Sequence, residues 1–369
     1  MSDAVFMQRA LQLAERGRGL TSPNPLVGAV VVRGDRVVGE GAHLRAGGAH
    51  GEIAALQAAA DAARGATLYV TLEPCAHQGR TPPCAPAVVR AGVARVVIAL
   101  QDPNPLVAGG GADLLRAAGV AVELGVLATE AERQNRAWLT AMRRRRPHVT
   151  LKAAATLDGK LADGRGASKW ITGEAARQHA HRLRAESDAI VVGVTTALRD
   201  DPALTVRLSE PWPREPYRVV LDTGARLGAG ARLIRAGTPS RAVVAVGEHA
   251  SPARVAALEA AGARVLRCPT RESHVDPAAL LERLFELEVR AVLVEGGGET
   301  HAAFVDAGLV DRVALFLAPL VLGGRDATGI VGGAGRDLKA ALRLDALAAT
   351  PVGDDLLIEA DVLHDPGPH

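Results

Sequence analysis

Hydrophobic and polar positions change period as the chain runs. From Asp3 to Arg16 the pattern is that of an amphipathic helix, with Asp3 as its N-cap and Gly17 and Gly19 as stop signals. The stretch "TSPNPLVGAVVVRGDRVVGEGAH" predicts a loop and then two β-branched strands joined at Gly34-Asp35. A helix through "EIAALQAAADAA" carries His50 and Glu52 at its first turn. The strand-like "ATLYVTLE" comes next, and Cys75 is expected to open the following element through Pro74. "VARVVIALQDPNP" reads as an apolar strand leaving into a Pro-rich turn, and "GADLLRAAGVAVELGV" as a helix and a short strand. Strands alternating with helices argue for a layered α/β domain.

The pattern restarts after Pro147. A helix over "ERQNRAWLTAM" runs into four arginines, Arg143 to Arg146, and a strand follows the proline. Such a short basic run reads as a solvated helix end, with phosphate or RNA binding as the alternative. The junction falls at Arg146 to His148, giving domains 1–146 and 147–369. Beyond it, "DAIVVGVTTALRDDPALTVR" predicts a strand, a glycine turn and a polar loop. "YRVVLDTGARL", "RAVVAVGEH" and "ARVLRCPT" predict strands, with "PARVAALEAAG" a helix among them. In "AVLVEGGGETHAAF" a buried strand ends at Glu295, three glycines follow and a helix begins near Thr300. Glycines at a strand-to-helix turn let backbone N–H groups approach an anion, although a tight turn explains them equally well. They do not form G-x-G-x-x-G, which argues against a Rossmann site.

A length of 369 residues suits two domains, each with its own core. With 48% hydrophobic but only 2% aromatic residues, the cores must be built of Ala, Val and Leu. The formal charge of +2 leaves no concentrated basic face, so the expected partner is a small molecule rather than nucleic acid. No apolar run reaches the ~18 residues of a membrane span, and the first residues lack a cleavage site. Three cysteines fit a reducing compartment, so the expected location is cytoplasmic.

Candidate chemistry concentrates between Ala49 and Cys84. A histidine, an acid two residues on, and two later cysteines make the ligand set of a zinc deaminase: His50, Cys75 and Cys84 on Zn²⁺, with Glu52 as proton shuttle. Three protein ligands leave the fourth position open for water, whose pKa zinc lowers to about 7. Glu52 then passes a proton to the departing amino group. The rival is a structural zinc closed by His43 or His77. Eight residues separate the two cysteines where deaminases commonly have two. Asn24, between two prolines, offers its amide to a base edge or else belongs to a turn. Arg184 and Arg207 are candidate phosphate contacts or surface residues.

From end to end the sequence resembles the bifunctional riboflavin-biosynthesis deaminase-reductase family. The resemblance rests on "TSPNPLVGAVVV", the H-x-E, "PCAHQGRTPPC", "DPNPLVAGGG", "LKAAATLDGK", "SKWITGEAAR", "LRAESDAIVVG", "DDPALTVR" and "VEGGG", all in the family's order. The long spacing between the cysteines is this family's form. The resemblance implies a cytidine-deaminase-like three-layer α/β/α domain followed by a dihydrofolate-reductase-like α/β domain. It implies two reactions on one phosphorylated pyrimidine: removal of the 2-amino group, then reduction of the ribosyl group to ribityl with NADPH. Carried over by position, Ala154, Trp170, Thr196, Asp200, Thr223, Gly297 and Gly298 bind the cofactor, and Ser168, Arg184, Leu204, Arg207 and Glu295 the substrate. Lys152 and Glu295 are candidates for polarising the opened sugar. The family also implies a homodimer built on the reductase domains. Trp170 has core filling as its alternative role, and Asp200 turn initiation. The chain departs from the family at Gly51, where Ala is usual, and in "GGGETHAAF". Two other classes stay open: a nucleic-acid deaminase with a C-terminal binding module, and a non-catalytic zinc-stabilised protein.

Overall fold

In the computed structural model, which describes residues 2–78, 82–104 and 109–364, the chain forms two units, 1–145 and 146–369. The first contains α1 (Asp3–Ala14), β1 (Gly28–Arg33), β2 (Arg36–Ala42), α2 (Gly51–Ala59), β3 (Thr67–Val70), α3 (Cys84–Ala91), β4 (Arg95–Ile98), α4 (Gly110–Ala117), β5 (Ala121–Leu124), α5 (Ala128–Gln134) and α6 (Arg136–Arg144). Its sheet has the order β2-β1-β3-β4-β5, antiparallel through β3 and parallel from β3 to β5. The two sides of the β1–β2 hairpin meet different helices. Gly28 abuts the backbone of α1, and Gly39 that of α2, so the sheet lies between helical layers.

Local chemistry shifts several boundaries. Asp3 is the first residue of α1 rather than its cap, because its carboxylate is taken by the Tyr69 hydroxyl and the Arg95 guanidinium. Cys75 does not open an element. It sits in the loop after β3, and Cys84 opens α3 behind Pro83, whose fixed φ suits a helix start. Gly51 is accounted for by close approach, since a Cβ there would lie 2.8 Å from the carbonyl oxygen of Val27. The Gly79–Thr81 part of the cysteine spacer and the Pro105–Ala108 part of the Pro-rich turn lie outside the described residues.

The second unit alternates β6 (His148–Thr156), α7 (Glu174–Glu186), β7 (Ala189–Gly193), α8 (Val194–Asp200), β8 (Tyr217–Leu221), α9 (Arg232–Arg235), β9 (Ala242–Gly247), α10 (Pro252–Ala260) and β10 (Arg264–Cys268). A small hairpin, β11 (Thr270–Arg271) and β12 (His274–Val275), leads to α11 (Pro277–Glu286), β13 (Ala291–Gly296), α12 (Gly298–Asp306) and β14 (Arg312–Ala318). β15 (Leu344–Val352) and β16 (Asp355–Val362) complete a nine-stranded sheet of order β10-β9-β8-β7-β13-β6-β14-β16-β15. It is parallel from β10 to β14 and antiparallel beyond. The central strands are continuous apolar runs because both faces are covered, as in β7 with Ile190, Val191 and Val192 all buried.

Three expectations change here. The polar loop after β7 is the helix α8, begun at Gly193 in extended conformation. Helix α12 starts at Gly298, two residues before the expected Thr300, with Gly297 as its N-cap. Arg146 is not a solvated helix end: it makes a buried two-pronged pair with Asp311, at 2.6 and 2.8 Å.

Candidate functional site

His50 is the N-cap of α2, held extended at φ −72° and ψ 157°, and Glu52 lies in the first turn behind it. The imidazole Nδ1 stands 3.1 Å from Cys84 Sγ and 3.8 Å from Cys75 Sγ. The two cysteines are joined through the backbone, because the Cys84 N–H donates to Cys75 Sγ at 3.3 Å and the Ala85 N–H to the Cys75 carbonyl at 3.0 Å. Cys75 thus sits at the N-terminus of α3, where backbone donors and the helix dipole favour thiolate. Hydrogen bonding from the Cys84 side chain, opposed by burial and aided by His50, brings Cys75 down to about 4. The same pairing, with burial, pushes Cys84 up. Burial raises the Glu52 carboxyl above the ordinary range, with His50 opposing.

The donor set fits zinc. The three ligand atoms lie within 4.8 Å of one another, and neither His43 nor His77 belongs to the cluster. Glu52 is 3% exposed, and its Oε2 has no hydrogen-bond partner among the described residues. A buried acceptor left open beside a three-ligand set is suited to a water and a substrate rather than to protein. Asn24 comes to the same place, its Nδ2 3.1 Å from His43 Nε2, while the His43 ring stands edge-on to His50 at 5.4 Å between centroids.

Two supporting residues escaped the sequence reading. Asn135, between α5 and α6, accepts from the Leu26 N–H at 2.8 Å and donates to the Leu26 carbonyl at 2.9 Å, which pins the loop that holds Asn24. Buried Glu73 accepts from the N–H groups of Asp102, Gly109 and Ala112 at 3.2, 3.1 and 2.9 Å. Both act across long stretches of chain, so no local motif announces them.

In the second unit a cavity of about 340 Å³ lies at the carboxyl ends of β6 and β13 and beside α8, where open parallel sheets bind ligands. Lys152, Ala154, Ser168, Trp170, Arg184, Thr196, Asp200, Arg207, Glu295 and Gly297 all line it. Arg184 and Glu295 form a two-pronged pair, Nε to Oε1 at 2.6 Å and Nη2 to Oε2 at 2.7 Å, and Arg184 Nη1 also donates to the Thr205 carbonyl. Burial would raise the Glu295 carboxyl, but Arg184 and then Lys152 hold it at about 2. Burial lowers the Lys152 ammonium, with Glu295 opposing. Thr196 Oγ1 accepts from the Gly297 N–H at 2.9 Å, which fixes the turn after β13. Gly296 there has φ +107°, a conformation that favours glycine.

Trp170 is 72% exposed, with the Arg177 guanidinium 4.6 Å from its ring centroid, so it is no core residue. Asp200 closes α8 and initiates no turn. Three expected contacts stand apart from the cavity lining. Leu204 is buried in the core. Thr223 accepts from the Val275 N–H at 3.0 Å, and Gly298 packs 2.9 Å, measured from an added Cβ, against the Gly329 carbonyl oxygen.

Comparison with known proteins places each unit in a family. Residues 1–100 match the model of the cytidine and deoxycytidylate deaminase zinc-binding region, and residues 147–358 that of the RibD C-terminal domain. The riboflavin biosynthesis protein RibD of Bacillus amyloliquefaciens is 43% identical over 97% of this chain and 96% of its own length. The chain belongs to the RibD family of riboflavin biosynthesis. RibD of Escherichia coli strain K12 is 43% identical over 89% of this chain and 91% of its own. Among solved structures, RibD of Acinetobacter baumannii superposes with a TM-score of 0.88 at 38% identity, covering 98% of this chain and 99% of that one. A Thermotoga maritima structure titled diaminohydroxyphosphoribosylaminopyrimidine deaminase/5-amino-6-(5-phosphoribosylamino)uracil reductase gives 0.84 at 36% identity, covering 98% of each. The family is a bifunctional deaminase and reductase with zinc and NADPH as cofactors, and its fold is α/β throughout, a cytidine-deaminase-like part followed by a dihydrofolate-reductase-like part.

Proposed function

We propose that residues 1–146 deaminate 2,5-diamino-6-(5-phosphoribosylamino)pyrimidin-4(3H)-one to 5-amino-6-(5-phosphoribosylamino)uracil, and that residues 147–369 reduce its ribosyl group to ribityl with NADPH. The observation that carries the reading is the buried Glu52 Oε2, without a hydrogen-bond partner among the described residues, beside the three ligand atoms of His50, Cys75 and Cys84. His50, Cys75 and Cys84 would hold the zinc, which when bound would supply an acidified water as nucleophile. Glu52 Oε2 is placed to take a proton as water adds to the ring carbon and to deliver it to the amino nitrogen, whose C–N bond breaks only after that addition, so that ammonia departs. Asn24 and its partner His43 orient the pyrimidine at this site.

In the second reaction NADPH supplies the hydride. Lys152 and Glu295 flank the sugar carbonyl or imine, the lysine polarising it. Ser168, Arg184, Leu204 and Arg207 place the substrate. Ala154, Trp170, Thr196, Asp200, Thr223, Gly297 and Gly298 place the cofactor. The functional unit is a homodimer in the cytoplasm that does not act on nucleic acid. Supporting the dimer, β15 is an edge strand with Leu344 and Leu347 exposed, and Leu338 nearby is 92% exposed. Glu52→Gln tests the assignment: zinc content and reduction of the deaminated intermediate should persist while ammonia release is lost. Unchanged ammonia release would refute the role of Glu52.

A further inference from the structure

Helix α7 presents Arg177, His181 and Arg184 at intervals of four and three residues, and all three line the cavity of the second unit. The histidine has a defined partner. Its Nδ1 lies 3.2 Å from the main-chain N–H of Arg207. A main-chain N–H can only donate, so Nδ1 accepts and the neutral ring carries its proton on Nε2. Arg207 is exposed and its guanidinium contacts Thr205 Oγ1 at 3.3 Å, whereas Arg184 is committed to Glu295 and the Thr205 carbonyl. Arg207 is therefore a guanidinium with donors to offer an anion, and His181 holds the backbone from which it projects.

We propose that His181 determines specificity for the phosphate of the reductase substrate: Nδ1 fixes the Arg207 main chain, and Nε2–H is a second, uncharged donor to the same phosphate. This rests on the reading that the second unit reduces a phosphorylated ribosyl compound. Burial, with Arg184 and Arg207 beside it, holds the His181 ring at about 4, so near pH 7 it is neutral. An uncharged donor recognises the phosphate oxygens without repelling the neighbouring guanidinium groups.

The test uses the full chain, NADPH, the deaminated ribosyl phosphate and its dephosphorylated counterpart. The readout is the ratio of kcat/KM for the two compounds. His181→Phe removes both hydrogen bonds, His181→Asn keeps an acceptor near Nδ1, and His181→Gln keeps a donor near Nε2. His181→Phe should reduce the preference for the phosphorylated compound by about tenfold or more, the value of a hydrogen bond to a charged group. The loss should fall on KM for that compound, leaving KM for NADPH unmoved, and the Asn and Gln variants should each recover part of it. An unchanged preference in His181→Phe, or an equal loss on both compounds, would overturn the proposal. If the Phe variant fails to fold, an unchanged preference in both the Asn and Gln variants would overturn it. A wild-type chain that oxidises NADPH with neither compound would sink the underlying functional reading instead, and this proposal with it.

Discussion

Arg184 and Glu295 meet in a buried two-pronged ion pair at 2.6 and 2.7 Å, on the wall of the cavity that Lys152 also lines. Removing one partner leaves the other charge uncompensated at low exposure, which costs about 3–5 kcal/mol. Glu295→Gln should lower the thermal midpoint of the second unit accordingly and abolish NADPH oxidation, while ammonia release by the first unit persists. Retained reduction would remove Glu295 from the chemistry.

The same pair sets a pH dependence. Glu295 is held at about 2, below the ~4.3 of a free glutamate. A depressed carboxyl contributes stability that is fully present above the unfolded value and is lost as pH falls through the folded one. The stability advantage of wild type over Glu295→Gln should be constant above roughly pH 5 and shrink progressively toward pH 2. Denaturant titrations of both proteins at several pH values read this directly.

Asn135→Ala strips two hydrogen bonds from the backbone of Leu26 at a buried position. Each orphaned group costs about 1–3 kcal/mol. Asn24 lies two residues away, so KM for deamination should rise while zinc content stays at one ion per chain. Steady-state ammonia release and metal analysis give the two readings.

Trp170→Ala should raise KM for NADPH roughly tenfold without lowering the thermal midpoint. The ring is exposed and flanked by Arg177, and an aromatic contact is worth about 0.5–1.5 kcal/mol beyond the area it buries. A fall in midpoint with unchanged KM would return Trp170 to a packing role.

Chelation should separate the two activities. Removing zinc leaves His50, Cys75 and Cys84 without their metal, so deamination should stop. Reduction of the deaminated intermediate should continue. Loss of both activities together would indicate a metal that supports the whole chain.

What was legible in the sequence was local. His50, Glu52, Cys75 and Cys84 declare themselves by residue type, and Gly34-Asp35 marks its hairpin by turn chemistry alone. The order of strands in the second sheet, with β13 inserted between β7 and β6, depends on contacts over a hundred residues apart. Asn135 and Glu73 work through the backbones of distant loops, and a lone Asn or Glu carries no periodic signal. Arg146 looked like part of a basic run because its partner, Asp311, lies 165 residues on. The helix α8 is hidden by its two threonines and by Asp200 and the following Asp201, residues that favour turns until packing of Val194 and Ala197 decides otherwise. β15 shows no buried alternation at all, as expected of an edge strand whose residues are exposed through Pro351.

The most direct test of the two-reaction account is mass spectrometry of the products formed from the diaminopyrimidine ribotide, with NADPH present and then absent. With NADPH the ribityl uracil compound should accumulate; without it the reaction should stop at the deaminated ribosyl compound. Unchanged substrate in both samples, from protein shown to contain zinc, would contradict the account.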